Sequence, residues 1–220
     1  MINLTHVYKT YSGGVHALRN IDLKIDKGEF VFLTGPSGAG KSTLFNLICA
    51  FDKITSGTIK VANQDLERIA ESEVPFFRRR LGVVFQNFRL LKELSVFENV
   101  ALPLKLRHDR AHFIKKRVDE VLDQVGLAHK EKTPCELLSG GEQQRTAIAR
   151  AIIHQPGTLI ADEPTGNLDP DLGEEIMALF EKVSAQGTTV FIATHDHALV
   201  SKRSRRRIEL KDGLIVKDSK

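Results

Sequence analysis

The nine residues Gly35-Pro36-Ser37-Gly38-Ala39-Gly40-Lys41-Ser42-Thr43 restrict this chain to few folds. They satisfy the pattern G-x-x-x-x-G-K-[ST] and sit between two segments of different period. Before them, Phe30–Thr34 is an almost unbroken apolar run, which predicts a strand covered on both faces. After them, Leu44, Leu47, Ile48 and Phe51 recur at helical spacing. The motif therefore falls on a turn from a buried strand into a helix, a context that a chance glycine turn would lack. Glycines let backbone N–H groups converge on a phosphate without side chains in the way, and the helix adds the positive end of its dipole. Lys41 supplies a point charge to the β- and γ-phosphates of a nucleotide, and Ser42 a hydroxyl ligand for Mg²⁺.

The rest of the chain reads as α/β. Ile21, Leu23 and Ile25 alternate with polar residues, as a half-buried strand does, and Lys27-Gly28 then turns the chain. Further buried strands are predicted at Leu81–Phe85, Leu159–Ala161 and Val190–Thr194. Helices are marked by Ile114, Val118, Val121, Leu122 and Val125, and by Ile176, Leu179, Phe180 and Val183. Alternation of the two patterns predicts a mainly parallel sheet. Ile208 and Leu210, Asp212-Gly213 and Leu214–Val216 predict a terminal hairpin. Residues 88–156 lack strand signals and read as a helical lobe inserted into the sheet domain. The chain is thus expected to be a single domain over 1–220, with 1–87 and 157–220 forming the core. Its 220 residues, 41% hydrophobic and 27% charged, suit that size and class.

Composition narrows the partners. Trp is absent and aromatics are sparse, so no stacking platform for single-stranded nucleic acid is indicated. The net charge of +4 is mildly basic and concentrates in Arg78-Arg79-Arg80, Lys115-Lys116-Arg117 and Lys202-Arg203-Ser204-Arg205-Arg206-Arg207. Such runs are ordinary solvated faces, or else contacts to anionic lipid or an acidic partner. Cys49 and Cys135 have no metal-ligand spacing, which is expected of a reduced, cytosolic chain. Ile2–Tyr8 is too short and polar-interrupted for a signal peptide, and no apolar run approaches the roughly 20 residues that span a bilayer. Work at a membrane would need another chain to supply the span.

Two further segments carry chemistry. Thr158–Glu163 is an apolar strand ending in two carboxylates, and that end of a sheet strand points into a ligand crevice. Asp162 is placed to hold Mg²⁺ and Glu163 to polarise an attacking water, although an acidic pair after a strand is also common on plain surfaces. Leu138-Ser139-Gly140-Gly141-Glu142-Gln143-Gln144 opens a helix, with Ser139 and Glu142 at capping-box spacing. Taken alone it is a well-capped helix. Its glycines and N-terminal dipole also suit an anion.

Leu138–Glu142 resembles the signature motif of ABC ATPases, and its pairing with an earlier phosphate loop is that family's hallmark. The resemblance runs along essentially the whole chain. It implies a P-loop NTPase fold: a RecA-like parallel-sheet core, an antiparallel β subdomain and an inserted helical subdomain. It implies hydrolysis of ATP with Mg²⁺, with Lys41, Glu163 and His195 catalytic and with Ser42, Gln86 and Asp162 at the metal. Tyr11 resembles the aromatic residue that stacks on adenine, though a packed strand tyrosine reads the same way. Gln86 resembles the glutamine that senses Mg²⁺ and the partner subunit. Asn167-Leu168-Asp169 resembles the D-loop at the dimer interface, and Asp169-Pro170 also reads as turn chemistry before a helix. His195 resembles the switch histidine at the γ-phosphate.

The resemblance also implies an ATP-dependent homodimer, in which Ser139, Gly140, Gly141 and Glu142 of one chain close the ATP site of the other. Glu73–Gln86, Asn87–Leu91 and Val96–Ala101 resemble the bacterial cell-division branch more than lipoprotein-release or amino-acid-import branches. Asn87 stands where that branch usually has Asp, and Ala50–Ile54 lacks its glycine and proline. The branch implies an FtsX-like four-helix membrane partner. It places the chain on the cytoplasmic face of the inner membrane at the division site, controlling cell-wall hydrolases and binding no nucleic acid. An exporter ATPase of the lipoprotein-release or macrolide type would share fold and chemistry. A nucleic-acid- or ribosome-acting relative would usually carry tandem cassettes or long coiled-coil insertions.

Overall fold

The structure is a computed structural model and describes residues 1–166 and 168–219. Its centre is a six-stranded sheet of β3 (Phe30–Thr34), β6 (Leu81–Val84), β7 (Thr158–Asp162), β8 (Thr189–Ala193), β9 (Arg206–Lys211) and β10 (Leu214–Ser219), ordered β10-β9-β3-β8-β7-β6. All neighbours are parallel except β10, which pairs antiparallel with β9 across the Asp212-Gly213 turn. Every residue of β3, β7 and β8 is buried, as the apolar runs require of strands covered on both faces. Period-two alternation then divides two cores. Phe30, Phe32, Leu159, Ala161, Val190 and Ile192 face one, and Val31, Leu33, Ile160, Phe191 and Ala193 face the other.

The first core is closed by α3 (Val96–Leu106), α4 (Ala111–Gln124), α5 (Gly140–Ile152) and α6 (Pro170–Ala185). The second is closed by α1 (Lys41–Ile48) and by a four-stranded antiparallel sheet. That sheet is ordered β2-β1-β4-β5, with β1 at Ile2–Thr10, β2 at His16–Ile25, β4 at Ser56–Val61 and β5 at Gln64–Asp65. Short helices α2 (Val74–Arg78) and α7 (His197–Ser201) and two 3-10 turns, Ala128–Lys130 and Cys135–Leu137, complete the described elements. No described helix is long and apolar enough to cross a membrane.

Two expectations need correction. Phe51 does not continue the α1 stripe: Ala50 takes φ 55° and the helix ends at Ile48. The Arg78 guanidinium caps that end by donating to the carbonyls of Cys49 (3.4 Å) and Ala50 (2.5 Å), and it lies over the Phe51 ring. The predicted strand Leu81–Phe85 stops at Val84, and Phe85 packs instead against Phe45 and Phe51.

The basic clusters are largely consumed within the chain. Arg203 pairs with Glu174 (2.6 Å) and Glu181 (2.9 Å), Lys202 with Glu174, Arg206 with Glu29 and Asp218, and Arg205 lies over Phe30. Lys115 pairs with Asp119, and Arg117 with Glu120. Arg79 and Arg80 cover Phe76 and Phe77.

Candidate functional site

A cavity of about 760 Å³ opens beyond the carboxyl ends of β3, β7 and β8, where an α/β sheet places its ligands. The loop from Gly35 to Gly40 forms its floor. Gly35 takes φ +150°, and a side chain there would overlap the Leu210 carbonyl oxygen of β9. Only glycine lets the loop lie this close to the neighbouring strand. Lys41, at the start of α1, is 8% exposed. Its Nζ donates to the carbonyls of Gly35 (2.8 Å) and Pro36 (3.1 Å) and lies 3.9 Å from Glu163 Oε1. The cation is thus held inside the loop and directed at the second motif.

Asp162 ends β7 and is buried. Burial pushes its carboxyl above the ordinary range, with the Glu163 charge adding to the rise. A bond from the Ser42 hydroxyl and the charge of Lys41 oppose it. One carboxylate oxygen, Oδ1, has no hydrogen-bond partner. Glu163 follows at φ 49°, in the left-handed region, and its N–H donates to the Ala193 carbonyl (2.8 Å). Holding a non-glycine residue there costs about 1 kcal/mol or more. The turn aims the carboxylate at the loop beyond β8. There Oε2 lies 2.9 Å from His195 Nδ1 and accepts the His195 backbone N–H (3.2 Å). Lys41, Glu163 and His195 therefore form one connected set.

Tyr11, just past β1, and Gln86, two residues past β6, line the same cavity. The segment after Gln86 is tied to α5, because Arg150 donates to the carbonyls of Phe88 (2.6 Å) and Arg89 (2.7 Å). Four lining residues carried no sequence motif: Val15, His16, Ala17 and His197. The first three belong to the β1–β2 connection and the start of β2, and come near the loop only through packing of the two sheets. His197 receives Arg207 Nη2 at 2.7 Å.

Ser139, Gly140, Gly141 and Glu142 do not line this cavity. The predicted capping box is formed: Ser139 Oγ accepts the Glu142 N–H (3.3 Å), and Glu142 Oε2 accepts the Ser139 N–H (2.9 Å). That backbone bond holds the Glu142 carboxyl below its ordinary range, with burial acting the other way. The two glycines differ. A Cβ at Gly141 would collide with Leu172 of α6, so this glycine serves packing, whereas one at Gly140 would meet open space. Asp169 caps α6 by accepting the Leu172 N–H (3.0 Å), as Asp169-Pro170 turn chemistry requires. Leu168 packs at the edge of the first core, and Asn167 lies outside the described residues.

A sheet core with this loop, Glu163 and a histidine around one cleft, and Asp162 buried at the strand end beside them, defines a P-loop nucleotide hydrolase. The family model described as ABC transporter matches residues 18–166. The chain belongs to that family, and it is an ATPase of the ABC type with the corresponding fold. It is similar to the cell division ATP-binding protein FtsE of Bacillus subtilis (strain 168), 51% identical over 218 residues, covering 99% of this chain and 96% of the relative. FtsE of Escherichia coli (strain K12) is 48% identical over 213 residues, covering 97% and 96%. Among solved structures, the ATP-binding cassette MJ0796, in a dimeric post-hydrolysis state bound to ADP and Pi, superposes with a TM-score of 0.92 at 39% identity, covering 100% of this chain and 98% of that one.

Proposed function

We propose that the chain is the ATP-hydrolysing subunit of a membrane complex serving bacterial cell division, working as an ATP-dependent homodimer with an FtsX-like partner. The carrying observation is a division of the site. One cavity collects the phosphate loop, Glu163 and His195, while the capped helix start at Ser139–Glu142 lies outside it with Gly140 facing open space. A second copy supplying Ser139, Gly140, Gly141 and Glu142 would cover the γ-phosphate, exclude water and fix the geometry of attack. The dimeric state of MJ0796 and the similarity to FtsE proteins support this reading.

Each residue then has a task. Tyr11 stacks on adenine. The backbone from Gly35 through Pro36, Ser37, Gly38, Ala39 and Gly40 to Lys41, with Ser42 and Thr43, cradles the phosphates. Lys41 leaves its loop carbonyls for the β- and γ-phosphates. Glu163 takes a proton from the attacking water, held in line by the bonds from His195, whose ring faces the γ-phosphate. The site fits Mg²⁺: the partnerless Asp162 oxygen, the Ser42 hydroxyl and the Gln86 amide are hard oxygen donors of the kind it prefers, with phosphates completing the set. Bound there, Mg²⁺ neutralises charge on the phosphates. Asn167, Leu168 and Asp169 cross the dimer interface.

The chain works as one ABC ATPase domain, with 1–87 and 157–220 as catalytic core plus β subdomain and 88–156 as helical subdomain. Gln86–Leu91 carries the state of the site to the membrane partner. Beside it a hollow of about 440 Å³, lined by Phe51, Arg78, Phe85, Leu106 and Arg150, gives that partner a seat. The partner controls cell-wall hydrolases from the outer side, and this chain sits on the cytoplasmic face of the inner membrane at the division site. Internal pairing of the basic clusters argues against nucleic acid as a ligand. Capture from membranes on the ATP-loaded Glu163→Gln variant tests the assignment. Recovery of a four-span protein is expected, and recovery of a larger permease would move the chain to an export system.

A further inference from the structure

Behind the Tyr11 ring lies a partly buried ion pair that no step above uses. Lys9, in β1, keeps only 11% of its side chain exposed. Its Nζ donates to Asp52 Oδ1 (2.6 Å) and to the Lys53 carbonyl (2.7 Å), and it stands 4.7 Å from the centroid of the Tyr11 ring. Asp52 Oδ1 also accepts the Lys53 N–H (2.7 Å), and the carboxylate takes a bond from the Tyr11 side chain. Partial burial acts to raise this carboxyl, and the bonds from Lys9, Lys53 and Tyr11 outweigh it. The same segment is stitched to the end of β1: Thr55 N–H donates to the Tyr8 carbonyl (2.9 Å), and Thr10 N–H donates to Thr55 Oγ1 (2.9 Å).

These contacts make the ring one-sided. Lys9 covers one face from within the protein, does not line the cavity, and is itself fixed by two oxygens. Tyr11 is 39% exposed and lines the cavity. We propose that Lys9 and Asp52 are positioning residues for the nucleotide base: they back and orient Tyr11 so that the base stacks on its cavity face alone. This rests on the stacking reading of Tyr11. It assigns Lys9 and Asp52 to the base and not to the phosphates, which are bound by the loop from Gly35 to Thr43. A cation fixed behind an aromatic ring also stabilises it electrostatically.

The test compares a ligand with a base against one without. Purified full-length chain is titrated calorimetrically with ADP and with inorganic triphosphate, for the wild type, Lys9→Met, Asp52→Asn and Lys9→Arg. Lys9→Met and Asp52→Asn are expected to weaken ADP by about three- to tenfold, with triphosphate unchanged within about twofold. KM for ATP should rise with kcat unaltered, and Lys9→Arg should restore most ADP affinity. Equal losses for ADP and triphosphate would reduce the pair to a fold-supporting contact, and undiminished ADP affinity would remove it from base binding. The underlying reading fails separately: Tyr11→Ala with wild-type ADP affinity would abolish stacking itself, and the proposal with it.

Discussion

Mild acid should weaken this fold through one histidine. His154 follows α5 and lines the hollow beside Arg79 and Arg150. Burial, assisted by the Arg107 charge, lowers its pKa from 6.5 to about 4. In the unfolded chain the imidazole takes its proton near 6.5, so between that pH and about 4 the unfolded state binds more protons. Stability is therefore full above that window and falls as pH drops through it. Linkage with those two values gives a loss of about 2 kcal/mol at about pH 5 relative to about pH 7.5, an upper bound because the ring keeps some contact with solvent. His154→Phe removes the group. Urea unfolding followed by circular dichroism at several pH values, on both proteins, isolates its share from that of the carboxylates. The stability difference between variant and wild type should move in favour of the variant by about 2 kcal/mol as pH falls from about 7.5 to about 5. A difference that stays constant with pH would refute the assignment of a buried, neutral His154.

Other perturbations address the site. Lys41→Ala should weaken ADP by at least about tenfold, since it removes the one buried cation in the phosphate loop; undiminished affinity in a titration would count against the loop assignment. Arg150→Ala removes two bonds to the carbonyls of Phe88 and Arg89 and should cost about 2 kcal/mol in denaturant unfolding. ADP affinity should be nearly unchanged in that variant, because Arg150 does not line the nucleotide cavity.

What could be read from the sequence was local. The phosphate loop, the Ser139–Glu142 box and the Asp162-Glu163 strand end each have their determinants within a few residues, and each appears in the structure where expected. The sequence pattern hides β1 because its alternation breaks at a bulge: His6 takes φ 49°, and register shifts after Leu4 put Val7 out of phase. The end of α1 is not legible in its own residues because Arg78 supplies the cap from another element. Val15 and His16 reach the cavity only through packing between sheets, His197 by opening the short helix just past β8, and Lys9 meets Asp52 from 43 residues away. No spacing rule encodes such approaches. The ion-pair partners of the basic runs are hidden in the same way, since Glu174, Glu181 and Glu29, which pair with Arg203 and Arg206, lie far away in sequence.

The claim that one chain holds half of a site is tested most directly by sedimentation of the Glu163→Gln variant with and without ATP, alongside its ATPase rate. If Glu163 activates the attacking water and Ser139–Glu142 close the site of a second copy, the variant binds ATP, turns it over very slowly and sediments as a nucleotide-dependent dimer. A variant that stays monomeric with ATP bound, or that hydrolyses at the wild-type rate, would contradict the account.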